Sequence, residues 1–492
     1  MLQPANDQRS SFSRFNDWAG RSVTLKLLVI GLLFLLLMIP AFLVEQLVQE
    51  RQYLRDNAQT EVAGKWGLDQ EIGGPVISVP YTYGTLNTDG KTITKTGYAH
   101  FLPDRLDISG TLQPQQRRRG IYVVVLYTAD LAISGNFAPL NAAALAIPEE
   151  SLRWEDALIT IGITDMKGVN ESITLNWSNP TTDSTAQYSF GPGTITNDIF
   201  GSGASIPIDL RADAGDAVGF RTRHDFSFTL SLNGSSRLYF LPFGRENSVK
   251  LSGAWADPSF EGEFLPEDHN VSTDGFMADW TVLQLNRNYP QQNIGSYVPP
   301  SGIGKYRPST QYSDDYGYEP NYGNGDSNGA FGVRLLLPVD EYQKTERSTK
   351  YSMLFVFLTF LTFFFIEVIN GRRLHPIQYL LIGAAVVLFY VLLLSISEHV
   401  AFGYAYLLAC SAVIALITMY SYFILENRGL TLLVAGVLIV LYIFFYSLLQ
   451  LQDYALLMGS IGLLLILATI MYLTRNIDWY RPGQEKEEEM IE

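Results

Sequence analysis

The sequence predicts a membrane α-helical bundle of six transmembrane helices joined to a large, mainly antiparallel β domain outside the cytoplasm, sandwich or jelly-roll-like in architecture. Three observations predict it: an apolar run near the N-terminus, a long polar middle with strand periodicity, and a C-terminal third that is almost continuously apolar. The mean hydropathy of +0.10 averages over this division and conceals it.

The first apolar run covers 27–44 (LLVIGLLFLLLMIPAFLV), and at 1.5 Å per residue it crosses most of a hydrocarbon core roughly 30 Å thick. Arg9, Arg14, Arg21 and Lys26 precede it, which favours a cytoplasmic N-terminus over 1–26. No A-x-A-like cleavage site follows and EQLVQERQYLRDNAQ continues a helical pattern, so the segment, placed at 27–48, reads as a permanent anchor.

Residues 49–350 carry the β domain. In DFSFTLSLNG, Phe226, Phe228, Leu230 and Leu232 alternate with Ser227, Thr229 and Ser231, and Asn233-Gly234 then reads as a hairpin turn. Asp89-Gly90 before KTITKT gives a second hairpin signal, and 121–137 and 171–177 add strands. Pro148 to Ala157 reads as a short helix, with Glu149 and Glu150 suited to its first turn. One β domain and two stacked ones fit equally well. The Gly-, Pro-, Asn- and Tyr-rich stretch 294–330 has no periodicity and reads as a long exposed loop. It reads as a mobile insertion ahead of the alternative, a contact surface made by its tyrosines, among them Tyr297, Tyr306, Tyr312, Tyr316, Tyr318 and Tyr322.

From 351 to 474 the chain reads as five spans, near 351–369, 377–397, 402–424, 430–449 and 454–474, followed by a cytoplasmic tail at 475–492. Gly383, Gly403, Gly436, Gly459 and Gly462 suit close helix contacts. Basic residues mark alternate connections: Arg372 and Arg373 in one, Arg428 in another, and Arg475, Arg481 and Lys486 after the last span. The connections at 397–403 and 450–453 carry no Lys or Arg. Every basic turn therefore falls on the side of the basic N-terminus, which puts both termini in the cytoplasm and the β domain outside.

Charges at a membrane are costly, and each needs a partner or a task. Two groups follow from the topology: Glu367, Arg372, Arg373, His375, Arg475 and Asp478 at the inner face, and Glu398 with His399 at the outer interface. The inner group reads either as topology determinants and ion pairs or as a polar site for a lipid head group or partner. The outer pair reads as a latch or as a site in which Glu398 positions a titrating His399.

The net charge of −15 argues against nucleic acid. A single cysteine, Cys410, allows no intrachain disulfide, and the five histidines never fall at metal-ligand spacing. No phosphate-cradling loop or HExxH appears, so neither a cofactor nor a metal is expected.

Several stretches carry a resemblance: RLHPIQYLLIG (373–383), LLLSISEHVAF (392–402), YLTRNIDWY (472–480), ERSTKYSMLF (346–355), GPVISVP (74–80), RRRGIYVVVLYTADL (117–131) and DPSFEGEFLP (257–266). Across nearly the whole chain the sequence resembles the CreD family, inner-membrane proteins of Gram-negative bacteria connected with cell envelope integrity. The stretch near 294–330 is longer than is usual in that family. The resemblance implies control by a two-component sensor-regulator system and links to colicin tolerance and β-lactam response, and it brings no catalytic residues or substrate.

The expectation is thus a non-enzymatic inner-membrane protein whose periplasmic domain binds an envelope partner or ligand. Its partners would be membrane lipids and an envelope protein, and a homo-oligomer is compatible with it. Two other readings stand beside it: a lipid or amphiphile carrier or channel-like protein, and a membrane enzyme at the outer interface with His399 as base.

Overall fold

The computed structural model describes residues 23–86, 91–180, 183–211, 219–296, 329–336, 341–370, 374–450 and 454–475. The chain divides into a β unit, Asp56–Pro338, and a helical unit made of Met1–Arg55 with Val339–Glu492.

In the β unit the strands follow in chain order as β1 (Gln70–Leu86), β2 (Thr92–Phe101), β3 (Arg105–Arg119), β4 (Tyr122–Phe137), β5 (Ala157–Ile163), β6 (Thr174–Asn179) and β7 (Ser184–Ser189). Then come β8 (Gly191–Pro192), β9 (Gly203–Ile208), β10 (His224–Ser235), β11 (Arg237–Phe240), β12 (Glu246–Gly253), β13 (Pro258–Gly262), β14 (Asp268–Ser272), β15 (Gly275–Leu283), β16 (Gln292–Ile294) and β17 (Phe331–Leu335). They form a nine-stranded sheet, ordered β13-β17-β11-β1-β5-β9-β8 with β2 and β16 off that path, and an eight-stranded sheet, β14-β15-β12-β3-β4-β10-β6-β7. Pairing is antiparallel except for β1 with β11 and β12 with β3, so both sheets are mixed.

Alternation decides which side chains go inward. Along β10, Phe226, Phe228, Leu230 and Leu232 are buried, and they join Ile77 and Val79 of β1 and Ile108 and Leu112 of β3 in one hydrophobic cluster fed by both sheets. Large aromatics fill it: Trp154 stacks on Phe220 at 4.0 Å between ring centroids, and Phe137 packs against Trp177 at 6.0 Å. Truncating a buried Trp of this kind costs about 3–5 kcal/mol.

The β1–β2 hairpin forms as expected, with Leu86 opposite Thr92, while its turn residues, Asp89-Gly90 included, lie outside the described residues. The hairpin at Asn233-Gly234 does not form. Strand β10 runs straight through both residues, with Asn233 opposite Thr128 and Gly234 opposite Tyr127. A Cβ at Gly234 would collide with the Tyr127 ring and hydroxyl, and that hydroxyl donates to the Arg237 carbonyl at 2.6 Å. Glycine is therefore needed here for close approach rather than for a turn. The chain changes sheets one step later, where Ser236 takes a φ of 52° and β11 enters the nine-stranded sheet. The helix expected at Pro148 to Ala157 is two 3-10 turns, Glu149–Ser151 and Trp154–Asp156, separated where Arg153 N donates to the Pro80 carbonyl. Of the expected loop at 294–330, residues 297–328 lie outside the described residues, the six tyrosines among them.

The helices are α1 (Val23–Trp66), α2 (Glu341–Lys350), α3 (Ser352–Asn370), α4 (Pro376–Ser397), α5 (Phe402–Leu425), α6 (Arg428–Gln450) and α7 (Ala455–Thr474). Among the described residues four helices are long and apolar enough to cross a membrane, within α1, α4, α5 and α6. They number five if Lys344–Lys350 and Ser352–Val368, bent by 47°, form one span; the apolar helix at Leu456–Tyr472 is shorter. Six full-length spans are thus more than the described helices supply.

The core of the helical unit is aliphatic and aromatic: Phe355 meets Phe445 at 4.5 Å, Phe389 meets Tyr442 at 4.9 Å, and the Tyr406 hydroxyl donates to the Tyr442 carbonyl at 2.7 Å. Gly383 sits where a Cβ would strike Leu37 and Phe360, and Gly462 sits likewise against Phe444, as expected of contact glycines. Gly436 faces open space, and the expectation of close packing fails there.

Candidate functional site

In the helical unit three elements converge on one carboxylate. Glu367 lies in the last turn of α3 and is 3% exposed. Its Oε1 accepts from Lys26 Nζ of α1 at 2.8 Å and from the Leu374 backbone N–H at 3.2 Å. Its Oε2 accepts from the Tyr379 hydroxyl in the first turn of α4 at 2.9 Å. A buried carboxylate is tolerable only when its lone pairs are filled, and here three donors fill them. The arrangement ties α1, the connection before α4 and α4 itself to the end of α3.

His375 is the N-cap of α4. Its Nδ1 accepts from the Ile377 N–H at 3.3 Å, and Gln378 Oε1 returns the bond to the His375 N–H at 2.9 Å, a reciprocal capping box. Pro376 follows at the first helical position, where a missing N–H costs nothing. The acceptor role of Nδ1 explains a histidine at this place without a ligand. Arg475 rests its guanidinium over the Tyr472 ring at 4.2 Å. Arg372, Arg373 and Asp478 lie outside the described residues.

Glu398 and His399 close α4 but face different partners. Glu398, whose side chain is 12% exposed, places Oε1 3.6 Å from Arg51 Nε of α1, an ion pair too long for a hydrogen bond. His399 is exposed, with Nδ1 3.2 Å from the Ser395 carbonyl of its own helix. Glu398 therefore does not orient the His399 ring.

The β unit holds three polar features that local sequence did not announce. Ser78 Oγ lies 2.9 Å from His100 Nδ1, and His100 Nε2 lies 3.3 Å from Asp198 Oδ2. The residue types are those of a nucleophilic triad. The placement is not: Ser78 is 2% exposed in mid-strand between β2 and β5, so no substrate reaches its hydroxyl. The row locks β1, β2 and the Asp198 segment together, and the hydrogen bond from His100 holds the Asp198 carboxyl below the usual carboxylate range. Second, Glu71 of β1 stands opposite Tyr239 of β11 with Oε1 sealed and unpartnered. Burial raises its pKa to about 7, against the opposing pull of Arg237. Third, a polar cleft of about 400 Å³ opens on the outward face of the eight-stranded sheet. No cluster of three or more His, Cys, Asp or Glu side chains suited to a metal occurs among the described residues.

Sequence reading found Glu367 and His375 but missed Tyr379 and Arg51 as partners, and it placed Lys26 only as a topology determinant. Lys26 and Glu367 are separated by 341 positions, a distance over which no local spacing carries a signal.

Comparison with known proteins agrees with the residues that carried the resemblance. The family described as "Inner membrane protein CreD" matches residues 22–480. The curated protein of that name from Escherichia coli (strain K12) is 32% identical over 450 residues, covering 91% of each chain. A match across both the apolar helices and the interposed β unit settles membership: the chain belongs to the CreD family of inner membrane proteins.

Proposed function

We propose that the protein is a non-enzymatic component of the cell envelope, anchored in the inner membrane by its helical unit and using the β unit, on the periplasmic side, to bind an envelope partner or ligand. The observation that carries this reading is the β unit itself: Asp56–Pro338 has its own two-sheet core, interposed between an N-terminal apolar helix and a group of C-terminal ones. The alternation of basic connections along the sequence supports the sidedness. The aromatic packing around Phe355, Phe389 and Tyr442 supports anchoring over transport, which needs polar groups lining a path. The outer-interface pair supports a catalytic reading less well, since Glu398 is engaged by Arg51 rather than His399.

Leu285, 95% exposed, is a suitable reporter. In a Cys410→Ser background, Leu285→Cys should react with a membrane-impermeant maleimide in intact spheroplasts. Labelling only after lysis would overturn the sidedness. Deleting the β unit should abolish complementation of envelope phenotypes; full complementation without it would overturn the functional reading.

A further inference from the structure

We propose that the cleft on the eight-stranded sheet is a binding site for an uncharged, polyhydroxylated glycan segment. This deepens the reading of the β unit as the ligand-binding, extracytoplasmic part of the protein and rests on that reading.

The site is built by strand register. Leu106 and Ile108 of β3 point into the core, so Arg105 and Asp107 point out. Register then carries the outward face across the sheet in two rows. The first is Arg105 on β3, Asn136 on β4, Asp225 on β10, Ser178 on β6 and Thr185 on β7. The second is Asp107, Ser134, Ser227, Asn176 and Gln187 on the same strands. Adjacent strands lie about 4.8 Å apart, so each row is a line of short donors and acceptors about 19 Å long.

An outward polar face is ordinary for a sheet. Two observations set this one apart. It is recessed as an open cleft of about 400 Å³. At its floor Asn136 is only 9% exposed, and its side-chain amide makes no hydrogen bond among the described residues. An amide whose donors and acceptor the protein leaves unfilled can serve a ligand that offers both.

The chemistry of that partner follows from the charges. The ionic groups lining the cleft are Arg105, Asp107, Arg223 and Asp225, which sum to zero. Each arginine is already bound to the aspartate two residues on, Arg105 Nε to Asp107 Oδ2 at 2.7 Å and Arg223 Nε to Asp225 Oδ1 at 2.8 Å. Each arginine thus has its countercharge beside it, and each aspartate likewise, so the cleft draws neither an anion nor a cation strongly. A peptide adding as a strand needs a free edge, and β4, β10 and β6 are paired on both sides. Beyond these pairs the face offers neutral hydroxyls and amides, of which Asn176 already binds Ser227 and Gln187, and such groups are matched by the dense, neutral donors and acceptors of a sugar chain.

The test uses the full chain in nanodiscs, since a maltoside detergent would present a competing sugar. Calorimetric titration with cellotetraose and with tetra-N-acetylchitotetraose should show binding with a Kd on the order of 1 mM or tighter. Binding of both probes marks hydroxyl recognition, and binding of the acetylated probe alone marks acetamido recognition at Asn136. Asn136→Ala should weaken binding about tenfold or more, and Asn176→Ala, at a half-buried position, gives the same readout should the first variant fail to fold. Absence of binding to either sugar at roughly 10 mM would overturn the proposal. So would unchanged affinity in the variants, or tighter binding of inorganic phosphate or an extended peptide. A chain that binds no sugar yet requires its β unit for complementation loses the glycan and keeps the envelope role; a dispensable β unit removes both.

Discussion

Each of the two units buries a glutamate, and they do so by opposite means. Glu367 in the helical unit is covered almost completely and receives three donors, one of them cationic. Glu71 in the β unit has a sealed oxygen that receives none, and burial raises its pKa to about 7. A carboxylate withdrawn from water needs either partners or a proton. The helical unit supplies partners, gathered from α1, α3 and α4; the β unit leaves Glu71 to the proton. The first arrangement fixes helices, and the second makes the sheet sensitive to pH.

The largest effect expected from this contrast is at Lys26. Lys26→Met leaves Glu367 with two neutral donors and no countercharge among the described residues, and breaking a buried pair from one side costs about 3–5 kcal/mol. Thermal unfolding of the detergent-solubilised protein should show a large loss of Tm, mostly restored in the Lys26→Met, Glu367→Gln double variant. Equal Tm for the single variant and the parent would show that the contact does not hold the helices together.

A smaller effect, with a definite sign, is expected at Glu71. Its folded pKa is raised above the unfolded value of about 4.3, so between those values the folded state holds more protons than the unfolded one. Stability from this group is fully present below about pH 4 and is lost as pH rises through about 7. Glu71→Gln should therefore stabilise the protein by about 1–3 kcal/mol at pH 8, the partial exposure of the side chain keeping the gain below the full linkage value, and change little at pH 4. Asp198 acts with the opposite sign: its carboxyl is held low, so its contribution is lost as pH falls. Denaturant titrations at the two pH values separate them, and a Glu71→Gln protein no more stable than the parent at pH 8 would remove the argument.

How much of this was legible in the sequence depends on the range over which the information acts. Period-two alternation is local, and it revealed β10, β4 and the hairpin of β1 with β2. Long apolar runs are local too, and they revealed the helices of the C-terminal third. Asn233-Gly234 misled because two causes produce the same dipeptide: a turn needs glycine for its backbone, and here Tyr127 needs it for space. The partners of Glu367 and the row Ser78–His100–Asp198 come from elements far apart in the chain, and no spacing rule reaches them. The cleft was invisible for a related reason: Asn136, Asn176 and Asp225 are unremarkable in their own strands and become a site only through register.

The smallest expected effect sharpens the same comparison at the other end of α4. Glu398 resembles Glu71 in having Oε1 without a hydrogen bond, and Glu367 in having a cation from α1 nearby. At 3.6 Å, with Arg51 40% exposed, the attraction is that of a screened surface pair, worth about 0.5 kcal/mol. Arg51→Ala should accordingly lower stability by about that amount at low salt and by less at high salt, while His399→Ala should leave it unchanged within about 0.3 kcal/mol. Unfolding midpoints of both variants at two ionic strengths decide between the partners. If His399→Ala proved the more damaging and the effect ignored salt, Glu398 would answer to the neighbouring ring rather than to Arg51, and the C-terminal end of α4 would hold a coupled acid–imidazole pair after all.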